Sequence, residues 1–350
     1  MKLSDFDYEL PSELIASSPE QQRDHSRLLQ LQKESCSLTD SHFFDITSVL
    51  QKGDVLVFNN SKVFPARLFG KKTETGGKIE LLLLSIDDAE NNTWVSMVKT
   101  KNALPGLALT ISDTNNEATN ITASLMEKRE NTWLIQFDCS YDEMSELLQQ
   151  HGHTPLPPYI KENEMDEEKL RDVYQTVYAK EEGSAAAPTA GLHFTEELIQ
   201  QLKEKGIQIE EVTLHVGLGT FAPVQVEDIA DHHMHSELAT ITQETAERIN
   251  TAKQEGRRII AVGTTSTRTL ETFINDGELQ HGSEWTDIFI SPGYEYQCID
   301  GLITNFHLPK STLLMLVAAL VGRDCMMNAY THAIEEQYRF YSFGDAMIIL

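Results

Sequence analysis

Apolar and polar positions change rhythm twice along this chain. From Lys52 to Asn60 the run Gly-Asp-Val-Leu-Val-Phe-Asn-Asn is apolar through its middle, which predicts a buried strand that closes in polar turn residues. Between Ala66 and about Gln150 the chain turns to short β-rich runs, at residues 67–70, 78–86, 93–99, 107–111, 121–126 and 132–137. Clusters of Gly, Asn, Asp and Thr separate them, and that spacing predicts a small antiparallel barrel.

After Thr154-Pro-Leu-Pro-Pro-Tyr-Ile the pattern becomes alternating helices and strands, so Pro155 to Pro158 reads as a linker back to a first domain. Thr195 caps a helix that runs to about Lys205 and stops at Gly206, with a strand over 207–216. Residues 243–255 have helical spacing and a Gly256 stop, 257–262 read as a strand, and 264–275 as a second helix. Short strands are predicted at 287–291 and 302–306, an apolar helix after Ser311 or Thr312, and a late helix over 324–339. The acidic run 162–168 reads as a solvated loop. The chain therefore divides into a discontinuous α/β domain, residues 1–65 and 155–350, and an inserted β-barrel domain, residues 66–154.

Composition narrows the function. At 350 residues, 40% hydrophobic and 23% charged, this is the make-up of an ordinary globular protein. The N-terminal stretch carries no apolar targeting core, and the longest apolar run, Leu313 to Val321, is far shorter than a bilayer span, so a cytoplasmic protein with no membrane contact is expected. Cys36, Cys139, Cys298 and Cys325 stand far apart without paired spacing, which predicts reduced thiols and no zinc site. A formal net charge of -26 argues against a general nucleic-acid coat; a polyanion has to meet a local basic face.

Candidate chemistry gathers at predicted strand ends. Gly301-Leu-Ile-Thr-Asn-Phe-His-Leu-Pro-Lys-Ser-Thr is a short apolar strand closing in polar groups, placing Asn305, His307 and Lys310 on a strand-to-helix turn with Ser311 ahead of the helix. Gly263-Thr-Thr-Ser-Thr-Arg268 follows a strand and opens a helix, so free N–H groups and the hydroxyls of Thr264, Thr265 and Ser266 are expected at one spot, with Arg268. It lacks the glycines of a dinucleotide fingerprint and the Gly-Lys-Ser/Thr of a phosphate loop. Ser184-Ala-Ala-Ala-Pro-Thr-Ala-Gly-Leu-His193 has the small side chains of a loop that lets a ligand approach the backbone, including Pro188, Thr189 and Gly191. Thr213-Leu-His-Val-Gly-Leu-Gly-Thr220 sets His215 in a strand before Gly217 and Gly219. His232-His-Met-His-Ser-Glu237 matches no helical metal spacing; no metal is expected, and His235 with Glu237 is the candidate general base. Asn59-Asn-Ser-Lys-Val-Phe-Pro-Ala-Arg67 supplies two amides and two cations.

Together these blocks resemble the S-adenosylmethionine:tRNA ribosyltransferase-isomerases of queuosine biosynthesis, from Met1 to Leu350. The residues carrying the resemblance are Asp24-His-Ser-Arg-Leu-Leu29, 58–68, Gly152-His-Thr-Pro-Leu-Pro-Pro-Tyr-Ile160, Tyr174-Gln-Thr-Val-Tyr178, 184–195, 212–221, Met234-His-Ser-Glu237, 262–268, 304–312 and 338–347. The resemblance implies a larger three-layer α/β domain with an inserted small antiparallel β-barrel. It implies transfer and isomerisation of the ribosyl part of S-adenosylmethionine onto 7-aminomethyl-7-deazaguanine (preQ1) at the tRNA wobble position, with adenine and methionine released and epoxyqueuosine formed. S-adenosylmethionine is then the co-substrate, no further cofactor is expected, and a monomer is expected to meet the tRNA. The sulfonium acidifies the C5′ proton for a base drawn from His215, His235 or Glu237, while His307 or Asn305 serves the leaving adenine. Asn59, Asn60, Arg67, Tyr174, Tyr178, Pro188, Thr189, Gly191, His193, Gly217, Gly219, Thr220, Thr264, Thr265, Ser266, Arg268, Asn305 and Ser311 are the substrate-binding candidates; Arg23, Lys62 and Arg67 are the candidates for RNA phosphate. Ser61-Lys-Val-Phe64 departs from the family's commoner Thr-Arg-Val-Ile, and Lys62 lacks the planar fork of arginine. A methyltransferase is disfavoured, since no Gly-rich loop follows an early strand.

Overall fold

Val55–Asn59 is buried at every position, and its side chains alternate between two cores. Val55 and Val57 face one with Ile259 and Ala261, while Leu56 and Phe58 face the other with Ile260 and Val262, the period-two signature of strands covered on both sides. The computed structural model describes residues 1–156, 166–217, 224 and 226–350. Its main sheet has nine strands in the order Gly282–Thr286, Glu237–Ile241, Gln208–Leu214, Val55–Asn59, Ile259–Val262, Gly301–Asn305, Ala346–Ile349, Arg27–Leu31 and Leu38–His42. The four strands from Gln208–Leu214 to Gly301–Asn305 run parallel; antiparallel pairs finish the first side, while on the other Ala346–Ile349 is antiparallel to Gly301–Asn305, parallel to Arg27–Leu31, and Leu38–His42 closes the edge antiparallel.

Helices cover both faces and complete three layers. Gln243–Gln254, Gly263–Phe273, Thr312–Val321 and Arg323–Glu335 pack on one face through residues such as Ile249, Leu270, Leu314 and Ala329. Glu196–Lys205 covers the other through Leu198 and Leu202. It starts at Thr195, whose hydroxyl accepts the Leu198 N–H, and ends at Gly206 with φ of 89°, as its sequence predicts. Among the described residues no single helix is long and apolar enough to cross a membrane.

The six predicted β runs close into an antiparallel barrel, ordered Thr132–Phe137, Thr93–Lys99, Lys78–Asp88, Arg67–Lys72, Ala108–Ser112 and Ala118–Arg129. Helix Tyr141–His151, capped by Ser140, seals it by placing Met144, Leu147 and Leu148 against barrel residues and Phe64. The two chain crossings between barrel and sheet run side by side: Arg67 and His153 exchange backbone bonds of 3.1 and 2.8 Å. Gly152 permits this approach, because a Cβ there would lie 2.2 Å from the Pro65 carbonyl oxygen.

Three expectations need correction. The strand predicted at 287–291 lies at Gly282–Thr286, since Trp285 and its neighbours pair with Glu237–Ile241 despite their polar sequence. The acidic run does not stay loop to its end: Asp166 caps a helix over Glu167–Val173, with residues 162–165 outside the described ones. Cys36 and Cys325, 289 residues apart, form a disulfide with a Cα–Cα distance of 5.5 Å, because the turn after Arg27–Leu31 reaches the helix Arg323–Glu335.

Glu167 ties that short helix to the barrel connection. Its carboxylate accepts the Thr154 N–H at 2.6 Å, the Thr154 hydroxyl at 2.7 Å and Arg171 Nε at 3.1 Å. Burial alone would raise its pKa, but these bonds and His153 outweigh it and bring the value from 4.5 to about 2. A depressed carboxylate stabilises the fold above its unfolded pKa and loses that contribution as pH falls towards the folded value. Glu167→Gln is expected to cost about 1–2 kcal/mol at pH 7, towards the low end for bonds to a charged group with partial solvent contact. In denaturant titrations the gap from the native chain should shrink as the pH drops from about 4.5 towards 2.

Candidate active site

Three parallel strands end along one edge of the sheet, and their ends together with the loop after Glu181–Ser184 enclose a pocket of about 70 Å³. Pro188 and Thr189 come from the small-residue loop, Thr264 and Thr265 from the start of helix Gly263–Phe273, and Asn305 and His307 from the turn after Gly301–Asn305. Ala186, Val216, Phe306 and Leu313 supply apolar wall.

A line of polar side chains runs into this pocket from beneath. Ser26 Oγ donates to the Arg23 carbonyl at 3.3 Å and lies 2.7 Å from His193 Nδ1. His193 Nε2 is 3.1 Å from Asn305 Nδ2, and Asn305 Oδ1 accepts the Thr189 hydroxyl at 3.0 Å. Burial drives the pKa of His193 down to about 4, and the ring stacks on Phe43 with centroids 4.9 Å apart. His307 is buried too, at about 3, with Nε2 2.9 Å from Thr304 Oγ1. Its backbone is clamped by Tyr330, whose hydroxyl accepts the N–H at 3.0 Å, and by Tyr8, whose hydroxyl donates to the carbonyl.

The helix start differs from its sequence reading. Gly263 takes φ of 90°, but Ser266 donates its hydroxyl back to the Val262 carbonyl at 2.9 Å and Thr267 to that of Gly263 at 3.1 Å. Of the polar side chains in this segment Thr264 and Thr265 line the pocket, beside Gly263, and Thr265 Oγ1 is buried without a hydrogen-bond partner. Arg268 points away, to Glu237.

A second space, a cleft of about 490 Å³, opens between barrel and sheet. His215, Gly217, His235 and Glu237 line its sheet side, and Trp94, Ile86 and Tyr141 its barrel side. Tyr141, Ile86 and Trp285 are large apolar residues left 43%, 40% and 62% exposed, and all three converge here. Trp94 and Tyr141 lie nearly parallel, 11° apart with centroids at 6.4 Å. Glu237 accepts the Gly217 N–H at 2.9 Å and is ion-paired with the buried Arg268, so its carboxylate holds the scaffold together at the cleft wall. His215 also lines the cleft: its Nδ1 is buried without a hydrogen-bond partner, and burial lowers its pKa, which favours the neutral imidazole. Gly183, with φ of 133°, packs under it, and a Cβ there would lie 3.1 Å from the ring.

Pocket and cleft adjoin across one extended segment. Val216 faces the pocket, while His215 and Gly217 on either side of it face the cleft. Ser184 fixes the segment, its Oγ accepting the Val216 N–H at 3.0 Å and donating to the Ala186 carbonyl at 2.7 Å.

Several sequence candidates serve the scaffold. Asn59 and Asn60 bind neighbouring strands: Asn59 bonds both backbone groups of Leu214 at 3.0 Å, and Asn60 accepts the Thr213 hydroxyl at 2.7 Å. Tyr174 packs edge-on to Phe343, and Tyr178 abuts Gly191 so closely that a Cβ there would meet its oxygen at 1.8 Å. Ser311 caps helix Thr312–Val321 by accepting the Leu314 N–H at 3.2 Å. The phosphate candidates are all engaged: Lys62 with Glu182 at 2.6 Å, Arg67 with Glu80 at 2.8 Å, and Arg23 with the carbonyls of Gln175 and Asp172 at 2.6 and 2.8 Å. Gly219 and Thr220 lie outside the described residues. Sequence reading passed over Ser26, Thr304, Tyr141 and Trp285; of these, a tryptophan set among polar residues in Ser283-Glu-Trp-Thr286 was the one available signal.

The fold has a known counterpart. The chain matches the family model described as Queuosine biosynthesis protein over residues 3–349. It is also similar to the crystal structure of S-adenosylmethionine tRNA ribosyltransferase from Thermotoga maritima, with 36% identity and a TM-score of 0.57, over 99% of this chain and 100% of that one. With a match that spans both the sheet and the inserted barrel, the chain belongs to the queuosine biosynthesis protein family.

Proposed function

We propose that this chain is a monomeric, cytoplasmic S-adenosylmethionine:tRNA ribosyltransferase-isomerase that acts on preQ1 at the tRNA wobble position and leaves epoxyqueuosine in the RNA. One observation supports it most: a small pocket and a base-sized cleft adjoin across residues 215–217, with the unpartnered His215 Nδ1 at their seam. The pocket suits part of the sulfonium substrate, and the cleft suits an unstacked base between aromatic walls.

In this reading His215 takes the C5′ proton, and the adjacent sulfonium stabilises the resulting carbanion as an ylide. Adenine leaves the sugar with the electron pair of its glycosidic bond, assisted by donors of the pocket, where Asn305 and His307 stand. The aminomethyl nitrogen of the RNA base bonds to C1′ and loses a proton, the ylide pair closes the C5′–C1′ bond as the ring oxygen lets go of C1′, and that oxygen displaces methionine from C5′ to close the epoxide. Because the sulfonium itself activates the carbon, the proposal calls for no cofactor beyond S-adenosylmethionine as co-substrate. Arg23, Lys62 and Arg67 being engaged, and the net charge being -26, stacking carries more of the RNA grip here than phosphate contact does.

His215→Gln is expected to cut adenine release by roughly 10²- to 10⁴-fold, the usual contribution of a positioned base, while changing S-adenosylmethionine affinity only a few-fold. Equal losses of rate and affinity would make His215 a binding residue instead. Since burial holds the His215 pKa below 6.5, the basic form persists as pH falls, and the acid limb of kcat should lie below that value. Trp285→Ala should raise KM for the RNA about 10-fold, in keeping with the loss of one stacked base, with little change in kcat. An unaltered KM would remove the stacking role.

A further inference from the structure

A threonine hydroxyl donates one hydrogen bond and accepts two, so what it offers a ligand depends on where its proton is committed. At Thr189 that commitment follows from a line of bonds with one end that cannot be reversed. The Arg23 carbonyl only accepts, so Ser26 donates to it at 3.3 Å. Ser26 Oγ must then accept from His193 Nδ1, 2.7 Å away. With burial holding the ring neutral, its pKa down at about 4, Nε2 carries a bare lone pair. The group facing it at 3.1 Å is therefore the NH₂ of Asn305, which turns Asn305 Oδ1 towards Thr189 and binds the hydroxyl proton at 3.0 Å.

We propose that this relay makes Thr189 an obligate hydrogen-bond acceptor that reads the 6-amino group of the adenine in S-adenosylmethionine, with His193 as its positioning residue. The inference rests on the ribosyl-transfer reading and adds to it a subsite and a rule of selectivity. None of the described residues lining the pocket is acidic, so the methionine ammonium finds no counter-charge there, whereas Ala186, Phe306 and Leu313 suit a flat ring. Beside Thr189 lies the start of helix Gly263–Phe273, where no side chain caps the first turn and the leading N–H groups lack intrahelical partners. An acceptor next to donors complements the edge of adenine, an amino donor next to a ring-nitrogen acceptor. A 6-keto purine inverts both positions and sets oxygen lone pairs against those of Thr189.

The test is a competition between S-adenosylmethionine and its 6-keto analogue, S-inosylmethionine, at equal concentration with preQ1-bearing RNA, reading the ratio of adenine to hypoxanthine released. Structural damage lowers both bases together, so the ratio isolates recognition. Thr189→Val should lower it about 10-fold or more relative to the native chain, and Thr189→Ser, which keeps the oxygen, should retain it. His193→Phe keeps a ring against Phe43 but removes Nε2, freeing the Asn305 amide to turn, and should lower the ratio as well. A ratio unmoved by Thr189→Val overturns the inference while leaving ribosyl transfer standing. Failure of the native chain to release either base overturns ribosyl transfer itself.

Discussion

The side chain of Asn59 holds the working edge of this molecule together. It is wholly buried at the end of the central strand, where the chain must leave the sheet for the barrel just as the neighbouring strand reaches His215. One amide satisfies the Leu214 carbonyl, the Leu214 N–H and the Ser61 N–H, three backbone groups that would otherwise be stranded away from water. From that point order passes outward. Residues Ser61–Val63 pair with Glu181–Ser184, Ser184 fixes Val216, and the segment between pocket and cleft acquires a defined face on each side. The position of the candidate base is thus set by an amide that touches no substrate.

Much of this was legible in the residue pattern, for stated reasons. Buried strands such as Val55–Asn59 and helices with a Thr cap and a Gly stop declare themselves locally, and so do barrel strands separated by turn residues. Thr264, Thr265, Asn305 and His307 could be grouped because each follows a predicted strand end, and strand ends of an open α/β sheet share one edge, while Pro188 and Thr189 stood out through the small side chains of their loop. What sequence could not supply was partnership at a distance. Leu38–His42 is too polar to announce itself and is a strand because Arg27–Leu31 pairs with it; Cys36 meets Cys325 only through the assembled fold. Hydroxyl direction was equally hidden: Ser266 and Thr265 are neighbours of the same chemical kind, yet one bonds its own helix and the other faces the pocket.

Charge follows a similar logic. A buried guanidinium and carboxylate, Arg268 and Glu237, neutralise each other between strand and helix, and Glu237 also holds the Gly217 N–H. Removing either partner would leave an uncompensated buried ion, a larger penalty than the pair's net contribution. With Lys62 and Arg67 paired to Glu182 and Glu80 as well, the exposed aromatic rings of the cleft are available contacts for a large ligand.

The paired backbone of Arg67 and His153 has a mechanical corollary. Two covalent crossings that are bonded to each other act as one attachment, closed up by the absence of a side chain at Gly152. Tyr141 reaches the cleft from the barrel side of that attachment and Trp285 from the sheet side, so the same joint that links the two parts of the chain also sets its aromatic walls opposite one another.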